Sequence, residues 1–182
     1  AYQAIYRDIW NAVGVPGVTP SATLTFLQAG VKLTDGSVPM DGRVSVMDAL
    51  AAATVSNTAQ TLFNPSEYIS ASNRRGRFDG KLLGIDEWYV DSNRAVKTTG
   101  TFTTASPQMV GANQTGSTIS TDGWASGATF LKKGDRFTIA GVNSVNPESY
   151  VDNGRLQVFV ITADSNDTTG AIAALPISPS II

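Results

Sequence analysis

The chain has 182 residues, of which 42% are hydrophobic and 15% are charged, and its formal net charge is -2. This length and hydrophobic content suffice for one domain or two small ones, and the charge excludes a broad basic surface for duplex nucleic acid. The chain contains neither His nor Cys. That excludes catalytic triads built on imidazole, the usual zinc, copper and haem ligand sets, and disulfides.

The first residues have the spacing of a helix with one apolar face. Six large apolar side chains recur at intervals of three and four residues: Tyr2, Ile5, Tyr6, Ile9, Trp10 and Val13. Gly14 and Pro16-Gly17 end this predicted helix. Because Ala1 opens directly into the helix without a cap, and because the chain ends on apolar Ile181 and Ile182, we interpret it as a piece of a longer protein.

Two further helices and a strand are predicted before residue 65. Thr19 as the N-cap and Pro20 at the first helical position predict a helix to about Leu33, and its apolar positions include Leu24, Leu27 and Val31. Residues 44 to 47 alternate like a strand. Asp48 then caps a third helix, 49 to 63, whose expected inward residues are Leu50, Val55, Ala59, Leu62 and Phe63.

Residues 65 to 80 are polar and contain three arginines around Gly76, namely Arg74, Arg75 and Arg77. Such a cluster is most often solvated surface. It also suits contact with another subunit or with a scaffold, because guanidinium groups pair well with carboxylates across an interface. Nucleic-acid contact is the weakest of the three interpretations, since nearby acidic residues offset the positive charge.

From Lys81 to Val90 the pattern predicts a strand, with Gly84 as the position of a bulge. Asp86 and Glu87 are neighbours in sequence, so they would point to opposite faces of that strand. This argues against a catalytic pair of carboxylates.

After Asn93 the helical period does not return, and short apolar islands alternate with turn residues, as in an all-β module. We therefore place a boundary near residue 97. The clearest part of the second half is a turn at Lys133-Gly134-Asp135 followed by a strand with one buried face up to Gly141. A second strand, from Leu156 to Ile161, is expected to be covered on both faces.

Two groups of residues raise the question of a ligand site. The glycine-rich segments 111 to 116 and 123 to 127 match no phosphate-binding pattern and precede no predicted helix, so they indicate loops. Asp164, Asn166 and Asp167 could supply oxygens to calcium, but they lack the glycine and the downstream Glu of a helix-loop-helix site, which favours a hairpin turn.

A third group is aromatic. Trp124, Tyr150 and Phe159 could form a platform that stacks against a sugar, although packing in a core is favoured. No catalytic, cofactor-binding or metal-binding residue is predicted, and no run of apolar residues is long enough to span a membrane.

Several stretches, in order along the chain, resemble the major coat protein of tailed bacteriophages, in the lambdoid podovirus type with an inserted β-barrel. The most specific is Leu131-Lys-Lys-Gly-Asp-Arg-Phe-Thr-Ile-Ala-Gly-Val142. Moderately specific stretches lie at residues 10 to 20, 25 to 35, 40 to 46, 62 to 67 and 83 to 90. One departure is Arg43-Val44, where the family commonly has Arg-Ser or Arg-Thr.

The resemblance implies an α+β fold, the shell fold shared by tailed-phage and herpesvirus capsids, followed by a small antiparallel β-barrel of six strands. Residues 1 to 96 would be part of the shell domain, without its N-terminal arm, and residues 97 to 182 would be the inserted barrel.

The implied function is structural rather than enzymatic and needs no cofactor. Many copies would assemble with a scaffolding protein, in the bacterial host cytoplasm, into an icosahedral shell that encloses the genome without specific contact. Portal and other virion proteins are further expected partners, and a membrane is not. The alternative is a phage-associated or adhesin-like module that recognises glycans through Trp124, and a carboxylate-based hydrolase is a distant third.

Overall fold

The computed structural model describes residues 9 to 15, 17 to 59, 81, 83 to 93, 96 to 101, 106 to 127, 129 to 167 and 169 to 182. The chain divides into two compact units. The first, called the β unit below, comprises residues 1 to 11, 95 to 144 and 154 to 182. The second, called the mixed unit, comprises residues 12 to 94 and 145 to 153.

Two helices and two strands make up the regular structure described in residues 12 to 94. In chain order they are α1 (Thr23–Asp35), β1 (Val44–Met47), α2 (Ala49–Ala59) and β2 (Glu87–Val90). Strands β1 and β2 pair in parallel, with Val44 opposite Glu87. The connection between them contains α2, in keeping with the long crossover that parallel pairing requires.

The start of α2 follows from its sequence. Asp48 caps the helix, because the backbone N–H of Ala51 donates to Asp48 Oδ1 at 2.8 Å, as predicted. Helix α1 differs from its prediction, since it begins at Thr23 rather than Pro20 and is preceded by Ala22 without a side-chain cap. The extended backbone of Ala22 sets the boundary there, so the capping signal at Thr19 is not used.

The core of the mixed unit centres on Val55, whose side chain is completely buried. Phe26 and Trp88 pack against it, with their ring centroids 5.8 Å apart and their planes tilted by 53°. The prediction that Leu50 points inward is wrong, because that side chain is exposed and the buried residues of α2 are Ala51, Ala52 and Val55. Of the other expected inward residues, Leu62 and Phe63 lie outside the described part.

Arg43 fastens the end of α1 to the loop that follows it. Its guanidinium donates to the carbonyl oxygens of Pro39 at 2.9 Å, Val38 at 2.8 Å and Gly30 at 3.3 Å, and to Thr34 Oγ1 at 3.1 Å. Only 6% of the residue is exposed. Since its hydrogen-bond acceptors are neutral oxygens near the C-terminal end of a helix, the charge is stabilised by backbone dipoles.

The first predicted helix and the strand predicted from Lys81 differ from their predictions. Residues 9 to 13 are irregular, so the predicted first helix does not extend over them, and its earlier part lies outside the described residues. The strand predicted from Lys81 shrinks to β2. Leu83 and Gly84 both have positive φ, 56° and 76°, so Gly84 belongs to a turn instead of a bulge.

The described residues of the second half form seven strands, and all the pairings given by register are antiparallel. They are β3 (Gln108–Met109), β4 (Gly116–Asp122), β5 (Phe130–Leu131), β6 (Arg136–Val145), β7 (Asp152–Ile161), β8 (Ser165–Asn166) and β9 (Ile172–Ile181). Five form one curled sheet in the order β3-β4-β9-β7-β6, and β5 pairs with β8. The outer end of the β6–β7 hairpin, residues 145 to 153, is grouped with the mixed unit.

One face of the curled sheet carries the core of the β unit. Its buried members come from four strands: Ile119, Leu131, Phe159, Ile161, Ile172, Leu175 and Ile177. Phe137 stacks on Phe159 with 5.8 Å between ring centroids. Phe137 and Ile139 contact this core, which confirms the alternation predicted for the first strand after the turn. Phe159, Val160 and Ile161 are all buried, whereas Leu156 is exposed. The strand predicted from Leu156 is therefore covered on both faces only at its end.

Asp135 ties three segments of the β unit together, and only 8% of it is exposed. Its Oδ2 accepts hydrogen bonds from the backbone N–H groups of Gly100 at 3.0 Å and Lys132 at 2.8 Å. Its Oδ1 pairs with the ammonium of Lys97. A Cβ at position 100 would overlap the carbonyl oxygen of Phe130, so the close approach requires glycine.

The fold class predicted from the resemblance is wrong. The protein is mostly β, with two helices in the described residues and a curled half-barrel sheet, and it does not have the α+β shell fold of tailed-phage capsids. The short matching stretches encode turns, caps and strands that different architectures can share. The helical content on which the shell domain depended is reduced where residues 9 to 13 are irregular.

Candidate functional site

The most distinctive surface feature is the hairpin tip, residues 145 to 153, where β6 turns into β7. Asn146 closes it with two backbone hydrogen bonds: its N–H donates to the Val151 carbonyl at 3.0 Å, and its carbonyl accepts from Tyr150 N–H at 2.9 Å. Asn-Pro at positions 146 and 147 is a sequence typical of turn initiation. These two hydrogen bonds therefore hold the two strands together where the tip begins.

The side chain of Asn146 then fixes the tip in place. Its Oδ1 accepts from the backbone N–H of Glu148 at 2.8 Å and of Ser149 at 3.1 Å, and from Ser37 Oγ at 3.2 Å. Its Nδ2 donates to the Asp35 carbonyl at 3.3 Å. One amide thus organises the turn and attaches it to the C-terminal end of α1.

The fixed tip presents a large aromatic side chain to solvent. Tyr150 is 81% exposed, and its neighbours Val145 and Val151 are exposed as well. The backbone of Tyr150 has a φ of 55°, a left-handed conformation that costs a bulky residue about 1–2 kcal/mol. Strain of this kind is found mostly where the position of a side chain matters for function.

The predicted sugar platform does not form. Phe159 is buried in the core of the β unit, and Trp124 packs against the same core while its Nε1 donates to Thr121 Oγ1 at 2.9 Å. Tyr150 is exposed at the hairpin tip. Core packing was therefore the right expectation for Trp124 and Phe159 and the wrong one for Tyr150.

The carboxylates considered as calcium ligands bind the backbone instead. Asp167, only 4% exposed, accepts hydrogen bonds from the N–H groups of Gly127 at 2.9 Å, Thr169 at 2.8 Å and Gly170. Asp164 accepts from the N–H of Lys133 at 2.7 Å. Oxygens surrounded by N–H donors stabilise local backbone conformations. The favoured hairpin turn does not form, because Ser165–Asn166 is strand β8, which pairs with β5. In the ranges described, no group of three metal-ligating side chains occurs.

The glycine-rich segments also behave as loops. Strand β4 follows the first of them, and the N–H of Gly127 in the second is bonded to Asp167. Neither offers the exposed N–H groups of a helix start to an anion.

Asp86 and Glu87 have separate partners. Asp86 pairs with Lys81 at 2.8 Å and accepts from the N–H of Gly42, while Glu87 accepts from the Tyr89 hydroxyl at 2.7 Å. The Lys81 ammonium, followed by the Gly42 N–H, holds the pKa of Asp86 below its ordinary value of 3.8. The hydrogen bond to Glu87 raises the pKa of Tyr89. These are two separate pairs on β2 and the residues just before it, and they form no shared carboxylate site.

Replacing Lys81 with methionine is expected to raise the pKa of Asp86 towards 3.8, because the ammonium is the largest cause of the lowered value. Because the pKa of Asp86 is lowered on folding, its ionised carboxylate stabilises the mixed unit at pH values above the ordinary pKa. This contribution is lost as the pH falls through the pKa of the folded state. An NMR titration of the Asp86 carboxyl measures the change. Lys132→Met in the β unit is the control and should leave that titration where it is; an unchanged pKa in Lys81→Met would contradict the assignment.

The predicted contact residues Arg74, Arg75 and Arg77 lie outside the described residues. The hairpin tip was missed as a site, although two signals in the sequence pointed to it. Asn146-Pro147 marks a turn, and Tyr150-Val151 is an apolar pair directly after the polar run Glu148-Ser149. A large aromatic residue inside a turn of this length cannot be buried by its own hairpin.

Comparison with known protein families and with curated protein sequences gives no match. Among the described residues, no helix combines the length and the apolar character needed to cross a membrane.

Proposed function

We propose that this chain is a structural protein of a phage particle, a coat subunit that assembles with copies of itself into an icosahedral shell around the genome. The proposal concerns the role in assembly and does not depend on the predicted shell fold, which is wrong. The proposal is supported by the sequence stretches that resemble the phage coat family and occur in the same order along the chain.

The observation that carries the proposal is the fixed and exposed hairpin tip. A bulky aromatic side chain held in a strained conformation, with its backbone fastened by Asn146, is already arranged for contact with another protein. Tyrosine is among the residues most enriched at the centres of protein interfaces. A coat subunit uses such contacts many times around closed symmetry, so that each can be modest.

The chemistry of the described residues is compatible with this role. Asp135, Asp164 and Asp167 accept hydrogen bonds from backbone N–H groups, which makes them structural. Proposed partners are further copies of the chain, a scaffolding protein during assembly, and other virion proteins including the portal. The proposed location is the virion, after assembly in the bacterial host cytoplasm.

Sedimentation of the protein that contains this chain, expressed with and without its scaffolding protein, tests the role. We expect species much larger than a monomer, with the scaffold shifting them towards particles of uniform size. A monomer at every concentration and salt condition, with the scaffold present, would contradict the proposal.

A further inference from the structure

The hairpin tip combines three properties that define its partner. Tyr150 and Val151 supply exposed apolar area, the backbone is fastened by Asn146, and Glu148 adds an exposed negative charge. Residues 145 to 153 contain no Lys or Arg. The complementary surface must therefore be apolar and carry a cation.

A surface of this chemistry is present on the chain itself, at strand β5. Phe130 is 49% exposed, Leu131 is buried, and Lys132 is exposed. Because side chains alternate along an extended segment, Phe130 and Lys132 lie on the same side. The backbone at Lys132 is held by its hydrogen bond to Asp135, so this aromatic and cationic pair also has a fixed position.

We infer that the hairpin tip of one copy docks on the Phe130–Lys132 surface of a second copy. This inference rests on the proposed assembly function and names one of its contacts. Tyr150 would pack on Phe130 and receive the Lys132 ammonium near its ring, and Glu148 would pair with the same ammonium. A head-to-tail contact of this type builds rings when the rotation between copies closes.

Charge favours this arrangement over contacts between identical surfaces. Two tips facing each other would bring Glu148 towards Glu148, and two β5 surfaces would bring Lys132 towards Lys132. Like charges placed opposite each other across an interface disfavour the contact. The tip and the β5 surface, in contrast, have opposite charges beside matching apolar groups.

The absence of cysteine from the chain allows a direct test by cross-linking. Ser149→Cys lies in the tip, and Asn166→Cys lies opposite Phe130 in the β5–β8 pair, so the four proposed contact side chains stay intact. When the two variants are mixed under assembly conditions and oxidised, we expect a disulfide-linked dimer containing one copy of each. Ala112→Cys, an exposed position in the loop after β3, is the control partner and should give no comparable product.

The possible outcomes test the docking contact and the proposed assembly function separately. Particles without the mixed cross-link would overturn the docking inference and leave the proposed function standing. The mixed cross-link without particles would support the contact and contradict the function. A dimer formed mainly by Ser149→Cys with itself would show that tips meet tips, which also overturns the inference.

Charge reversal supplies the second readout. Glu148→Lys should lower the yield of the mixed cross-link by about tenfold, since opposite-charge pairing becomes repulsion. Introducing Lys132→Glu into the copy that carries Asn166→Cys should then restore most of the cross-link yield. A yield that stays low after the second reversal would contradict pairing between these two residues.

Discussion

Replacing Asp135 with alanine is expected to destabilise the β unit by about 3–5 kcal/mol. The substitution removes the acceptor of two backbone N–H groups, those of Gly100 and Lys132, and the partner of Lys97. The side chain is 11% exposed and that of Lys97 is 27% exposed, so water replaces the lost interactions only in part. Asp135→Asn should cost less, because an amide oxygen can still accept from backbone N–H groups.

Hydrogen exchange read segment by segment measures this effect. We expect lower protection in β5, β6 and β7 and unchanged protection in α1. Asp164→Ala is the matched control, since that exposed carboxylate accepts one N–H, from Lys133, and its loss should cost less than about 1 kcal/mol. Equal effects of the two substitutions would mean that Asp135 does not tie the unit together.

The second large effect is expected for Arg43→Met, which should destabilise the mixed unit by about 2–4 kcal/mol. Methionine fills much of the same volume but leaves the carbonyl oxygens of Val38, Pro39 and Gly30 without their donor. Lysine cannot reproduce the fork of a guanidinium. Arg43→Lys should therefore recover only part of the loss.

Chemical denaturation followed by tryptophan fluorescence measures this loss, because the indole of Trp88 packs in the core of the mixed unit. Lys81→Met is the control, since the Lys81 side chain is 76% exposed and its removal should change stability little. If Arg43→Met unfolded at the same denaturant concentration as Lys81→Met, the structural role of Arg43 would be refuted.

Local signals in the sequence predicted several elements well. Asp48 caps α2, residues 44 to 47 form β1, and the turn at Lys133-Gly134-Asp135 leads into β6. Each depends on chemistry within a few residues, such as an acceptor before a helix or a glycine with positive φ in a turn. Such local features form in the same way in many different folds.

Features that depend on distant residues were not predicted. The role of Asp135 requires Lys97 and Gly100, and that of Arg43 requires Gly30 and Thr34. The fold class failed for the same reason, because short matching stretches do not determine which strands pair. Tyr150 was expected in a core since aromatic residues usually are buried, whereas it is exposed at the hairpin tip.

Electron microscopy of the protein containing this chain, produced together with its scaffolding protein, tests the assembly role most directly. We expect closed shells of uniform diameter, built from repeated contacts between identical subunits. Fields that contain only isolated molecules or irregular aggregates, under conditions where both proteins are folded, would contradict it.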